Sequence, residues 1–228
     1  MTTPDLFDEW QTYEKVVAND YMQHRDFFIA LKSEISTRLQ EPLTVADLGC
    51  GDCAPVDGLL RSFEILRYVG IDQSASALRR AQSKLTATGV NFSLCQGSIL
   101  DELRALAPGY NLIVCSYSLH HLSVDAKQDV LKECRRCLAP GGLLAVIDVF
   151  RKDGEASESY TERWVDNARG SYLALDSAEI ENVIAHVRSS DLPETVATYR
   201  QLAAVAGFAQ TNRIAQDANC LNQFVLFS

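Results

Sequence analysis

Nowhere in this chain is there a run of the roughly 20 apolar residues that a helix needs to cross a bilayer. Its N-terminus also lacks the basic and apolar regions of a signal peptide. A cytoplasmic protein without membrane contact is expected. Positive charge is short as well, with 21 Lys and Arg against 30 Asp and Glu, a net charge of −9 and a pI near 4.9. Such a surface repels nucleic acid and anionic lipid, and no basic stripe or added binding domain offsets it, so a small-molecule partner is expected. Internal repeats and low-complexity tracts are missing. The seven cysteines are an odd number without framework spacing, which reads as reduced thiols. Two Cys-x-x-Cys pairs, Cys50/Cys53 and Cys134/Cys137, would have to converge to hold zinc. The expectation is that the first pair shapes a turn, the second lies on a helix flank, and there is no metal site.

What is present is enough apolar material, 47% of 228 residues, for one large α/β domain. The organising stretch is Val45-Ala46-Asp47-Leu48-Gly49-Cys50-Gly51-Asp52-Cys53, a buried-strand pattern running into a Gly-x-Gly turn. Glycine at 49 and 51 lets backbone turn sharply and approach a ligand closely, and unpaired N–H groups at the following helix start favour small anionic or polar ligands. Asp72 ends the next apolar strand, Tyr68-Val69-Gly70-Ile71-Asp72, where a carboxylate meets a ribose. From residue 43 the alternation reads strand 43–48, helix 55–63, strand 67–72, helix 75–87, strand 90–95, strand 110–116, helix 124–138 and strand 142–149. It predicts a doubly wound, mostly parallel sheet. Pro55 in a first helical turn, Ser74 and Ser123 as N-caps, and Pro140-Gly141-Gly142 before the fifth strand are its punctuation.

The apolar-apolar-Asp-apolar-Gly-Cys-Gly motif, the acidic end of the second strand and the Pro-Gly-Gly turn resemble the class I S-adenosylmethionine-dependent methyltransferases. The resemblance covers 43–150 well and 193–228 fairly, where a helix near 194–206, a strand near 208–214 and a final strand near 221–227 would complete seven strands with the last one reversed. It implies S-adenosylmethionine as cofactor and S-adenosylhomocysteine as product. Asp47, Gly49, Cys50 and Gly51 would face the methionine part, Asp72 the ribose hydroxyls, and Gln73 the adenine. Gly97, Ser98 and Ile99 would close over the adenine edge, although the family often has Asp where Ser98 stands and a third glycine where Cys53 stands. Ser116 and Tyr117 would border the cofactor. His120, in the turn after the fourth strand, would sit below the reactive methyl, with His121 packing under the sheet edge among the acceptor-side residues.

Two segments lie outside the resemblance. Residues 1–42 read as two helices, the first with Leu6, Trp10, Tyr13 and Val17 at helical spacing, separated by a break rich in ligand-capable side chains. We read this part as a lid, with Tyr13, Met22 and Arg25 toward the cofactor, Trp10 and Tyr21 toward the acceptor, and His24 as a second catalytic candidate. The alternative is a fixed flank of the sheet. Residues 151–192 are too long for a plain connection and emerge at the carboxyl edge, so they read as a helical substrate insertion within a domain spanning 43–228, with Asp148, Arg151, Tyr160 and Trp164 on the acceptor side. Asp148 could instead cap the loop beyond its strand.

The resulting expectation is methyl transfer to oxygen or nitrogen of a small acceptor by a monomer or homodimer. A methyltransferase acting on tRNA or protein, and a non-methylating or NAD-type module on the same fold, are the competing readings.

Overall fold

Strand β1 (Leu43–Leu48) is buried at all six positions, the mark of a strand covered by helices on both faces. The structure, a computed structural model, describes residues 10–228, with side chains from Thr12 onward. In chain order come α1 (Trp10–Ala18), α2 (His24–Arg38), β1, α3 (Asp57–Leu60), β2 (Ile65–Asp72), α4 (Ala75–Thr88), β3 (Phe92–Gln96), α5 (Ile99–Ala105) and β4 (Tyr110–Ser116). A 3-10 turn at Leu119–His121 leads to α6 (Val124–Cys137) and β5 (Leu138–Arg151). Then follow α7 (Ser157–Ser171), α8 (Ser177–Ser190), β6 (Glu194–Thr195), α9 (Val196–Ala206), β7 (Thr211–Gln216) and β8 (Asn222–Phe227).

The sheet order is β3-β2-β1-β4-β5-β8-β7, with β6 beside the end of β5. Strands β1 to β5 pair in parallel, whereas β8 runs antiparallel to both of its neighbours. This is the doubly wound sheet that the alternation predicted, with the reversed last strand that the resemblance implied. Strand order reverses between β1 and β4, and ligands of open α/β sheets bind outside the carboxyl ends at such a point.

Because neighbouring strand residues point to opposite faces, Ala46 and Leu48 join one core with Ile113, Cys115 and Val146, under α5, α6 and α9. Val45 joins the other with Leu112, Val114 and Ala145, under α2, α3 and α4. Cys134 and Cys137 belong to the first core and Cys50 and Cys53 to the second, so the two Cys-x-x-Cys pairs do not converge. A third cluster joins the insertion to the N-terminal helices: Tyr160, Trp164, Val165, Tyr172 and Ile184 pack with Val16 and Val149, and Tyr21, Met22 and Tyr117 lean on it.

Several boundaries differ from the sequence reading. The helix expected over 55–63 contracts to α3, because Cys53 turns left-handed (φ 61) and Val56, at the N-cap, offers no capping side chain. Pro55 therefore stands in the turn ahead of the helix. Helix α5 and strand β6 were not expected; at seven and two residues they are too short to show a period. Ser74 and Ser123 cap α4 and α6 as predicted, accepting the N–H groups of Ala77 and Ala126. Among the described residues no helix is long and apolar enough to cross a membrane.

Candidate active site at the carboxyl ends of the central strands

Where β1 ends, the chain turns through Gly49 (φ 68) and Gly51 (φ 53), both left-handed. A Cβ on Gly49 would stand 2.0 Å from Ser118 Oγ and 2.6 Å from its Cβ, so only glycine fits there. The turn is fixed by hydrogen bonds from Gly49 N–H and Cys50 N–H to the Ile71 carbonyl, at 2.8 and 2.9 Å. Gly51 N–H donates to Asp72 Oδ2 and Ser74 N–H to Asp72 Oδ1, each at 2.8 Å. A carboxylate oxygen has room for about two donors, so Asp72 keeps capacity for a diol. Asp47 lies buried behind the turn and accepts the Tyr68 hydroxyl at 2.7 Å. Burial pushes its carboxyl up to about 7, with Tyr68 opposing the shift and Asp72 adding to it.

The other cofactor candidates divide. Ile99 reaches toward the Gly49 turn, its Cδ1 3.8 Å from the position of a Gly49 Cβ. Gly97 N–H holds the Asp72 carbonyl at 3.1 Å, and the Gln73 carbonyl accepts from Gln96. Ser98 has a local task, capping α5 through Asp101 N–H and donating to the Asp101 carboxylate. The Cys50 side chain is in the core, close to Gly70, so only its backbone belongs to the turn.

Helix α1 lies across this turn. The Tyr13 hydroxyl is 4.0 Å from where a Gly51 Cβ would be, and burial, then Asp52, Asp72 and Asp47, raise its pKa. Ion pairs Lys15–Glu179 (2.6 Å) and Arg80–Glu14 (3.2 Å) tie α1 to α8 and α4. Tyr21 stacks on Tyr172 at 4.4 Å, and the Met22 carbonyl accepts the hydroxyl of Tyr117, itself left-handed at φ 52. His24 is buried with its ring 4.8 Å from that of Tyr117. Burial pulls the imidazole down to about 4 despite Asp20, and Nδ1 has no hydrogen-bond partner. Arg25 is a correction: it is 70% exposed, donating to the Ala18 carbonyl and facing Asp20. That carboxylate and the end of α1 hold it in solvent, away from a cofactor. The side chain of Trp10, like Leu6, lies outside the described residues.

The turn after β4 holds a cluster that local pattern did not reveal. Fully buried Asp148 accepts the N–H groups of Leu119 and His120 at 3.0 and 3.1 Å, and pairs with His120 Nδ1 at 2.5 Å. It caps the turn of the neighbouring strand. His120 Nε2 faces Asp191 Oδ1 at 3.7 Å. Burial disfavours the charged ring, but Asp148 and then Asp191 outweigh it, and the net shift is upward. Nδ1 is committed to Asp148, and Nε2 points at the Asp191 carboxylate from beyond hydrogen-bond distance, so the ring is aimed at Asp191 and the base role expected for it is not assigned. His121 is half-exposed rather than packed under the sheet edge, and burial followed by His120 lowers it to about 4.

Lys127, fully buried, donates from Nζ to the carbonyls of Leu122 and Leu192 at 2.6 Å each. Its replacement leaves two buried acceptors unpaired, at about 1–3 kcal/mol apiece. Lys127→Met should therefore lower the unfolding free energy by about 2 kcal/mol or more, read from the urea midpoint; an unchanged midpoint would show that water replaces the ammonium.

On the insertion, Arg151 is committed to the Pro193 and Glu155 carbonyls and to Glu194. These contacts brace the ends of the insertion, which corrects its placement beside the acceptor. Trp164 and Tyr160 are buried in the third cluster, where the Tyr160 hydroxyl has no hydrogen-bond partner.

Residues 46–144 match a methyltransferase domain family. An uncharacterized methyltransferase of Geobacillus kaustophilus is 28% identical over 179 residues, 78% of this chain and 80% of that protein. A carboxy-S-adenosyl-L-methionine synthase of Pseudomonas putida is 26% identical over 196 residues, 82% and 77% of the two chains. These matches, with the sheet order, support a class I S-adenosylmethionine-dependent methyltransferase. S-adenosylmethionine is accordingly its cofactor. The same fold is seen in a crystal structure of a putative O-methyltransferase from Nostoc punctiforme, at a TM-score of 0.65 and 18% identity. That alignment covers 95% of this methyltransferase but only 59% of the longer protein.

Proposed function

We propose that this methyltransferase acts on an oxygen or nitrogen of a small-molecule acceptor held between the N-terminal helices, the turn after β4 and helix α7. The reading is carried by three buried polar atoms without hydrogen-bond partners around Tyr117: Ser116 Oγ, His24 Nδ1 and Tyr160 Oη. Ser116 precedes Tyr117, His24 touches its ring, and Tyr160 belongs to the cluster it leans on. Buried polar atoms are nearly always paired, and a polar acceptor would pair these. Tyr13 over the glycine turn, the Tyr117–Met22 bond and the α1–α8 ion pair enclose the space, which disfavours a strand of RNA or a protein loop. The name of the Pseudomonas putida relative, a synthase of a modified S-adenosylmethionine, also suits a small molecule.

The glycine turn fits a ligand that approaches backbone closely, and the spare capacity of Asp72 fits a ribose diol. When bound, S-adenosylmethionine supplies a methyl already made electrophilic by its sulfonium. The chain then has mainly to position the acceptor and exclude water, and orientation alone can lower a barrier by about 7–11 kcal/mol. Tyr13 and α1 cover the cofactor as a lid, and Asp72 with Gly49–Gly51 fixes its placement. Neutral His24 accepts a hydrogen bond from the acceptor. Incubation with methyl-labelled cofactor and panels of small carboxylates, phenols and amines, beside tRNA and protein fractions, tests the proposal. Label found only in the macromolecular fractions would end it.

His24 carries a pH prediction. A ring lowered to about 4 is neutral throughout the range in which an ordinary imidazole, near 6.5, titrates. The active form therefore lies above pH 4 and is lost only as pH falls through that value. The ring resonances of His24, assigned by their loss in His24→Asn, should not titrate between pH 7 and 5.5, and that variant should cut turnover about 10²-fold or more with little change in cofactor affinity. A His24 ring that titrates near pH 6.5 would remove it from this role.

A further inference from the structure

Three of the chain's four histidines gather around a single carboxylate oxygen. Asp191 Oδ1 lies 3.5 Å from His121 Nδ1, 3.7 Å from His120 Nε2 and 3.9 Å from His186 Nε2. The Asp191 side chain is 7% exposed, and this oxygen has no hydrogen-bond partner. A carboxylate oxygen withdrawn from water without a donor is costly. Lys127, the nearby ammonium, is committed to two backbone carbonyls.

We propose that His120, His121 and Asp191, with His186 as a fourth ligand, form a binding site for a zinc-class divalent transition metal. The donor atoms of the first three lie within 4.8 Å of one another. Four ligands at 2.0–2.1 Å around tetrahedral zinc are about 3.3–3.4 Å apart, so the 3.5, 3.7 and 3.9 Å distances from Asp191 Oδ1 need to shorten by about half an ångström or less, and small ring rotations bring the imidazoles, whose first pair lies within 4.8 Å, together. The support behind the site fits as well. His120 Nδ1 meets Asp148, which fixes the ring with its proton on that side and turns the Nε2 lone pair toward Asp191. A carboxylate behind a ligating imidazole is the usual arrangement at such centres. Three imidazoles and one carboxylate favour zinc, cobalt or nickel over magnesium or calcium, which prefer oxygen ligands.

The partly exposed faces of His121 and His186, at 42% and 28%, give an ion a way in. His186 lies on α8, and Asp191 directly follows that helix; His120 and His121 are in the turn after β4. A bound ion would staple the insertion to the strand end beside the proposed acceptor space, leaving methyl transfer to the residues described above.

Protein stripped with a chelator is titrated with Co2+, whose tetrahedral complexes absorb visible light far more strongly than octahedral ones. The expected result is one Co2+ per chain with tetrahedral-intensity bands that Zn2+ bleaches at one equivalent, and a zinc-dependent rise in Tm. His121→Ala and Asp191→Asn should each weaken cobalt binding by more than about a hundredfold, beyond the 10–100-fold typical of supporting groups. His24→Gln, which removes the one histidine outside the cluster, should bind as the parent does. Circular dichroism of the metal-free variants confirms folding, and half-exposed His121 serves if Asp191→Asn misfolds. Absent or octahedral-intensity bands in the parent, or parent-like affinity in a folded His121→Ala, overturns the site.

Discussion

Gly49→Ala should reduce affinity for S-adenosylmethionine at least about a hundredfold, equivalent to about 2.7 kcal/mol. Two causes act together. The residue sits at φ 68, where any side chain costs about 1–2 kcal/mol, and the new methyl would fall 2.0 Å from Ser118 Oγ and 2.6 Å from Ser118 Cβ. Relief of that overlap means moving either the glycine turn or the turn after β4, and both border the proposed cofactor site. Adding Ser118→Gly removes both close atoms and leaves Ile99 Cδ1 at an ordinary 3.8 Å. The double variant should therefore recover most of the loss and retain a deficit of about tenfold from backbone strain. Calorimetry on the three proteins decides it. A double variant no better than Gly49→Ala would show that the methyl obstructs the ligand itself and that Ser118 is a bystander.

The second large effect is at Asp72, where replacement by alanine should weaken cofactor binding by tenfold or more, since a hydrogen bond to a charged group is worth about 1.5–3 kcal/mol. The same carboxylate also receives Gly51 N–H and Ser74 N–H, so a loss of affinity alone would not separate holding a ribose from holding the turn. A cycle with S-adenosylhomocysteine and its 2′-deoxy analogue separates them. If Asp72 grips the diol, deoxygenation costs affinity in the parent and almost none in Asp72→Ala. An equal cost in both proteins would leave Asp72 as a support of the turn only.

The order of strands and helices, the glycine turn, Asp72 at a strand end and the serine caps could all be read from the sequence. Each is a local device: period two or 3.6, a residue that tolerates positive φ, or a hydroxyl one turn ahead of an N–H. The family resemblance came from the same short stretch. The reading was poorer where one residue could serve two local purposes. Ser98, read as an adenine contact, caps α5; Arg25, read as a cofactor clamp, is drawn into solvent by Asp20 and the end of α1. Helix α5 and strand β6 stayed hidden because seven and two residues do not establish a period.

Only the tertiary structure decided which polar groups meet. His120 stands 28 residues from Asp148 and 71 from Asp191, yet its two ring nitrogens face those two carboxylates. Neither His186 nor Asp191 carries a signal of its own in the sequence. The partnerless nitrogen of His24 likewise becomes visible only once Tyr117, 93 residues away, is packed against its ring. Backbone preferences and hydrophobic period act over a few residues, so they fix elements. The meeting of side chains from distant elements depends on how the insertion and the N-terminal helices pack over the sheet edge, and that is set by burial of apolar surface in three dimensions, which one-dimensional order does not record.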